Sequence, residues 1–572
     1  MFSILTVLCV LFTGLHGSHS CHGSSRFEGP LDKTLALIPE EVLALGIVPR
    51  LDRLNDDMAE MLDAMNRPST VLAGRPIEML KAQMGLSVGL DERGSLAAWL
   101  QSPSKEDSKN PSTAFLVPVS DANAFLEGNF TASGNAWLRP DGERMYARSL
   151  ETHVLLSSDE SLVDMYEPGK GSRVRMMRDL GDKAVSMVEK GDVIVWIDGR
   201  NMAQLDMNST PFGASEVPGL PDFTAEGIKD TVMVLDVDPL ALSLRTFSMF
   251  DETSKLGALL VSGTPGPASM SRLTDAPFYF AISVDALGLG GMPVAKALLS
   301  AIDLDLPLIP DLIDSVGKDL KAMQMAIYPS RLGIALGGLL NDSALVMVSK
   351  DPQALEVSMR EQIMSVAGDR NGIRYEPEWT EDKALRTGGT ADAYRLKETI
   401  LPPSKSSGGS RPQMGAAFQQ IFLQLLYGSR GLNGFAGVES DAMVMTFSQR
   451  PDVWGRALKA AGSQGDRLSE NATLTAMRPW LLDAPDVEML IGVGSFGKLL
   501  KQLSRAMPVT IFDPADLPEI PEGLPPIAID ISTGTASVES ATVIPTGVLA
   551  LVYDQAVKWM SSQISSGADS SP

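Results

Sequence analysis

The chain is poor in the residues that most metal centres and hydrolytic sites are built from. Cysteine occurs twice, as Cys9 and Cys21, and histidine four times. Because both cysteines fall in the N-terminal stretch, the body can form no internal disulfide and must draw its stability from a packed core. His16, His19 and His22 share that stretch, which leaves His153 as the one imidazole of the body. That excludes a histidine-built zinc cluster and gives a Ser-His-Asp or Cys-His site a single residue to use. His153 lies in the strand-like run "THVLLSS", where a structural imidazole is the expected reading. G-x-S-x-G, H-E-x-x-H and Walker A patterns are missing as well, so no catalytic residue is assigned.

Basic charge is the second deficit: 48 Lys and Arg stand against 71 Asp and Glu, a net charge of −23. Such a chain repels a phosphate backbone, and no basic, aromatic-interleaved stretch offsets this, so nucleic acid is not an expected partner. Acidity invites Ca²⁺, yet in "DLDLPLIPDLID" Leu306, Pro307 and Leu308 separate Asp303 and Asp305 from Asp311 and Asp314. The alternating oxygen ligands of a calcium loop are broken there, and no metal is expected. No run beyond residue 20 offers eighteen unbroken apolar residues, so the sequence predicts no further membrane span.

What is present begins with an apolar run from Ile4 to Leu15, the length of a signal-peptide core and too short to span a bilayer. Ser18 and Ser20 are small residues placed for cleavage before Cys21. Cys21 is a candidate for lipidation, although Ser18 and His19 only partly match a lipobox, and the first basic residue is Arg26. The expectation is an extracytoplasmic protein that touches membrane only through a possible lipid on Cys21.

Internal similarity gives the architecture. "FLVPVSDANAFLE" (Phe115 to Glu127) matches "LVMVSKDPQALE" (Leu345 to Glu356), with Asp121 and Asp351 placed as helix N-caps. "VLLSSDESLVDMY" matches "MVMTFSQRPDVWGRAL", which sets His153 against Ala442. "DVIVWIDGRNMAQL" (Asp192 to Leu205) aligns without gaps to "DVEMLIGVGSFGKL" (Asp486 to Leu499). The pairs keep their order, and each half closes with strand-like alternation, at Asp230 to Phe250 and at Pro526 to Ile544. The pattern predicts an α+β fold: two repeated units of largely antiparallel sheet with helices packed on one face. The expected layout is an export signal over 1–20, a first repeat over 21–263, a linker over 264–275, a second repeat over 276–560 and a disordered tail over 561–572. "LPPSKSSGGSRPQM" forms a flexible insertion near 401–414.

Two helices stand out by periodicity. Leu51, Leu54, Met58, Met61, Leu62 and Met65 share one face of the first, and Phe418, Ile421, Phe422, Leu425 and Leu426 one stripe of the second. Both read as core-packing helices. Ser102 and Lys105 fit S-x-x-K, but Pro103 and the surrounding loop composition read as linker. The sharpest enzymatic signal is "GVGSFG": Gly492, Gly494 and Gly497 follow the apolar run "VEMLI", and Asp513 ends "VTIFD" further on. That is the order of a dinucleotide site, in which glycines admit a pyrophosphate and an acid binds ribose. A lone motif of this kind is weak, so no cofactor is assigned.

The export signal, the start near "DKTLALIPEEV", the units "VSDANAFLE" and "VSKDPQALE", and the closing "TVIPTGVLALVYD" together resemble exported bacterial proteins of domain-of-unknown-function type with a duplicated α+β unit. The resemblance implies the duplicated fold and carries over no catalytic residue. Three functions stay open. The first is a non-catalytic structural or binding protein with an unknown protein or apolar ligand as partner. The second is a carrier of lipid or another apolar ligand, and the third a nucleotide-dependent oxidoreductase using the glycine turn.

Overall fold

The computed structural model describes residues 30–40, 42–67, 75–101, 111–168, 184–202, 227–254, 257–258, 260, 269–285, 320–370, 373–401, 421, 423–506, 519–521 and 523–568. The export segment with Cys21, Ser102 to Lys105, the aspartates between 303 and 314, residues 402–414 of the insertion, Phe418, Phe422 and Asp513 lie outside them. The fold is mixed helix and strand, and every strand pairing described is antiparallel. Among the described residues no helix is long and apolar enough to cross a membrane.

The chain divides into two compact units. One comprises Met1–Ala214, Thr224–Ala258 and Ala536–Pro572, the other Ser215–Phe223 and Leu259–Thr535. Among the described residues the first unit holds β1 (Val42–Val48), β2 (Leu96–Gln101), β3 (Ser112–Pro118), β4 (Thr131–Ser133), β5 (Ala136–Leu138), β6 (Arg144–Ser149), β7 (His153–Ser157), β8 (Val193–Asp198), β9 (Ile228–Val237) and β10 (Ala241–Phe250). The second unit holds β11 (Phe280–Asp285), β12 (Leu320–Ile327), β13 (Ala344–Ser349), β14 (Gly368–Arg370), β15 (Ile373–Ala384), β16 (Thr390–Ile400), β17 (Leu432–Glu439), β18 (Ala442–Thr446), β19 (Val487–Ile491) and β20 (Ile527–Gly534). The chain then returns to the first unit as β21 (Ser537–Pro545) and the helix Thr546–Ala568.

The first sheet runs β4-β5-β6-β7-β3-β2-β1-β8-β9-β10-β21. Successive side chains of a strand point to opposite faces, and here both faces are apolar. One carries Leu45, Ile47, Trp99, Leu116, Leu155, Ile194, Trp196 and Val234 under Leu35, Ile38 and the helix Glu160–Asp164. The other carries Phe115, Val117, Val154, Leu156, Val193 and Leu235 under the helices Leu51–Ala64, Pro76–Met84 and Ala122–Asn129. Helices therefore cover two faces of this sheet and not one. The physical reason lies in the central strands: β7 is buried at all five positions, and such a strand needs apolar cover on both sides.

The second sheet runs β14-β15-β16-β17-β18-β13-β12-β11-β19-β20. One face holds Ile282, Val284, Met325, Leu345, Met347, Met443, Met445 and Val487, packed with Leu355, Met359 and Ile363 of the helix Pro352–Ser365. The segment 269–275, expected as a linker, packs within this unit, with Met270 0% and Leu273 1% exposed. Three further expectations meet specific outcomes. Asp121 caps its helix by accepting from the amides of Asn123 and Ala124, and Asp351 accepts from that of Ala354. The stripe from Leu51 to Met65 is buried throughout. Residues 561–568 are helical and not a disordered tail, since nothing between Tyr553 and Ser566 breaks the helix.

Candidate functional site

The second unit buries a row of polar side chains across four neighbouring strands. Gln324 on β12 lies opposite Ser283 on β11, Ser283 opposite Glu488 on β19, and Glu488 opposite Asp530 on β20. Residues directly opposite in an antiparallel pair share one face, with Cβ atoms about 4.5–5.5 Å apart. All four are buried, Ser283, Glu488 and Asp530 to 0% exposure.

Two pieces of chain cover the row and use it as a set of hydrogen-bond acceptors. The Ser269 amide donates to Ser283 Oγ (3.1 Å), the Arg272 amide to Gln324 Oε1 (3.0 Å), and the Met270 amide to Glu488. Ser283 Oγ in turn donates to the Ser269 carbonyl (3.0 Å). From the other side, Arg478 Nη2 donates to Glu488 Oε1 (2.8 Å) and the Leu482 amide to Asp530 Oδ2 (3.1 Å). Each polar residue thus receives an amide that the covering loops could pair neither with water nor with a strand. Among the described residues, Glu488 Oε2 and Asp530 Oδ1 stay buried without a hydrogen-bond partner. Burial raises both carboxyls above the usual range, opposed at Glu488 by Arg478. Asp530 is pushed up to about 7 by burial first and by the charge of Glu488 second. Two carboxyls side by side can exchange a proton, but a sealed pair cannot meet a substrate.

A second buried acid stands at the head of the next strand in each unit. Asp192 accepts from the Val237 amide (2.8 Å) and pairs with Arg53 Nε (3.1 Å). Burial raises the Asp192 carboxyl, with Arg53 opposing and Asp236 and Asp57 adding to the shift. Asp486 accepts from the Thr533 amide and from Thr533 Oγ1 (2.7 Å).

The glycine motif has a packing role. Gly492, Gly494 and Gly497 follow β19 and open the helix Val493–Ala506, as the sequence predicts. However, β19 is antiparallel to both neighbours, β11 and β20, whereas a dinucleotide site sits at the head of a parallel β-α-β unit. A Cβ on Gly492 would come within 2.0 Å of the Phe278 carbonyl oxygen, and one on Gly497 within 2.0 Å of Ile520 Cδ1. The missing side chains admit the protein's own chain. Asp513, the ribose-binding candidate, lies outside the described residues.

His153 is 4% exposed, its Nε2 3.1 Å from the Ser95 carbonyl and 3.2 Å from Thr34 Oγ1, its Nδ1 2.8 Å from Thr152 Oγ1. Burial lowers its pKa, opposed by the Ser95 carbonyl and the charge of Asp91, which favours the neutral imidazole. Among the described residues no group of three or more His, Cys, Asp or Glu is arranged to hold a metal ion. Large apolar side chains are exposed at Leu332, just before the helix Gly333–Gly337, at Leu336 on it, and at Phe496 on the helix Val493–Ala506; the Ile334 amide donates to Gln502 Oε1 (3.2 Å) between the two helices.

Motif searching passed over Glu488, Asp530, Arg478, Ser283 and Gln324. The gapless match of the two segments did hold a signal: with Asp192 laid on Asp486, Glu488 falls on Ile194.

No protein-family model matches the chain, and neither does any curated protein. Two solved structures show faint likeness. Crystal form I of TP0453 is 9% identical over 38% of this chain and 78% of its own, with a TM-score of 0.20. Crystal form III of TP0453 is 10% identical over 52% of this chain and 98% of its own, with a TM-score of 0.21.

Proposed function

We propose that this is an exported protein built from two copies of one α+β unit, and that it works by binding, with no catalytic step. The observation that carries the duplication is a match of strand register. The order β6-β7-β3-β2-β1-β8-β9 recurs as β17-β18-β13-β12-β11-β19-β20. With Asp192 set on Asp486, the Asp192 amide bonds the Leu235 carbonyl and its carboxylate the Val237 amide, while Asp486 does the same with Ile531 and Thr533. In β3 and β7, Ala114 faces Ser157 and Pro118 faces His153, just as Ala344 faces Thr446 and Val348 faces Ala442 in β13 and β18. Chance pairing of sheets would slip by at least one residue somewhere, which inverts every face.

Binding is favoured over catalysis because the buried acids and His153 are spent on backbone amides and carbonyls, out of reach of a substrate. The apolar-ligand carrier is the alternative, drawn from exposed Leu332, Leu336 and Phe496. Mass spectrometry of the chain purified from its native envelope tests these readings together. The expected result is a mature N-terminus at Cys21 and no nucleotide. A lipid carried along would promote the carrier reading. An intact Met1 in a soluble intracellular fraction would overturn export, and co-purifying NAD(P)H would overturn the non-catalytic reading.

A further inference from the structure

The polar row has a counterpart that shows what it is not needed for. In the first unit Ala97 lies opposite Ile47, Ile47 opposite Ile194, and Ile194 opposite Val234, all four in one apolar cluster. In the matching register these positions hold Gln324, Ser283, Glu488 and Asp530. A sheet of this topology therefore packs with hydrocarbon along this row, and the acids are an addition specific to the second unit.

Their geometry leaves one defect, two unpartnered oxygens on neighbouring buried carboxyls, Glu488 Oε2 and Asp530 Oδ1. The charge of Glu488 adds to the burial that raises Asp530, so one proton held by the pair removes the second buried negative charge. We propose that Glu488 and Asp530 share one proton, that this proton latches the Ser269–Thr274 segment and the Arg478–Leu482 turn onto the second unit's sheet, and that the cover loosens as the proton is lost.

The groups facing the pair can be counted from each packed element. The covering segment offers the Ser269 and Met270 amides and turns the Arg272 guanidinium away to Asp441 Oδ1 and the Ala461 carbonyl. The sheet offers Ser283 and Gln324, and the turn offers Arg478 and the Leu482 amide. Among the described residues, Arg478 is the cation that acts on both carboxyls. With one proton, the charges of Glu488 and Arg478 cancel. Without it, two buried anions face one cation, and their repulsion acts on the residues that hold the cover down.

The sign follows from linkage. Asp530 is raised from its ordinary value to about 7 in the closed state, whereas an opened cover returns it to about 4. The closed form thus binds the extra proton between about pH 4 and about pH 7, and closure weakens by up to about tenfold per pH unit across that window as pH rises.

The test is hydrogen–deuterium exchange of the full chain at pH 4.5, 6 and 7.5, corrected for intrinsic rates and read at 269–274 and 478–482. Asp530→Asn mimics the protonated acid, since its amide can still accept from Leu482 and carries no charge beside Glu488. The expected result is protection of both segments that falls with pH in the parent and stays level in the variant, which exceeds the parent at least tenfold at pH 7.5. Equal pH profiles in parent and variant would overturn the proposal. Infrared spectroscopy of the unmodified chain is the second measurement and needs no variant to fold. A protonated-carboxyl band at pH 6 that fades by pH 8 supports the shared proton, and its absence at pH 6 overturns it.

Discussion

Two rows of opposed residues, across β1, β8 and β9 in one unit and across β11, β19 and β20 in the other, carry opposite chemistry. Ile47, Ile194 and Val234 sit in one apolar cluster with Leu35 and Ile38, so along this row cover and sheet meet through hydrocarbon. Ser283, Glu488 and Asp530 sit beneath a segment that arrives with unpaired amides, so cover and sheet meet through hydrogen bonds. Apolar contact is indifferent to pH and tolerant of small shifts. A buried polar contact is directional, costly when incomplete and tied to a proton. A sheet can be closed either way, and among the described residues the titratable closure lies in the second unit.

The strongest way to break the comparison is to exchange the chemistry. Ile194→Glu puts a carboxyl into the apolar cluster of the first unit and should cost roughly 3–5 kcal/mol. Denaturant unfolding at pH 7.5 checks this, and a cost below about 1 kcal/mol would mean that the first unit tolerates an acid row too. Arg478→Ala removes the cation of the second unit. Its side chain is 38% exposed and the pair can take up a proton, so the loss should be nearer about 2 kcal/mol at pH 7.5 and smaller at pH 5.

The shared acids sharpen the comparison. Asp486→Ala removes the acceptor for both the Thr533 amide and its hydroxyl, and should cost roughly 1–3 kcal/mol. Asp192→Asn keeps an acceptor for Val237 but loses the charge facing Arg53. Because burial raises the Asp192 carboxyl, its contribution is complete below about pH 4 and is lost as pH rises toward the folded value. Stability of the Asn variant relative to the parent should therefore improve from pH 4 to pH 8; a constant difference would show that Arg53 holds the acid ionised throughout. The smallest effect belongs to the helix caps. Asp121→Ala, which frees two amides, should cost about 1 kcal/mol, and Asp351→Ala, which frees one, somewhat less; the two melting temperatures compare them.

Much of the fold was legible because its signals are local. A 3.6-residue stripe from Leu51 to Met65 buries as a stripe, and Asp121 and Asp351 cap because each precedes a helix with open amides. The alternation from Asp230 to Phe250 becomes the β9–β10 hairpin, whereas that from Pro526 to Ile544 divides, β20 pairing with β19 and β21 with β10. Register partners far apart in sequence decided that, and no local pattern carries them. The glycine motif meets the same limit: "GVGSFG" reads alike whether its strand has parallel or antiparallel neighbours, and here both are antiparallel.

By itself, then, the sequence determined where strands and helices begin, which acids cap them, and that disulfides and a histidine cluster have no part in the body. The candidate site was decided only in three dimensions. In "DVEMLI", Val487 and Met489 face one way and Glu488 the other, an alternation that ordinarily sends the acid to water. Glu488 is buried instead because the remote segment 269–274 lies over that face with amides to satisfy, and because β20 sets Asp530 directly beside it. Burial turns two ordinary acids into a proton-sharing pair, and burial is a property of the assembled sheet.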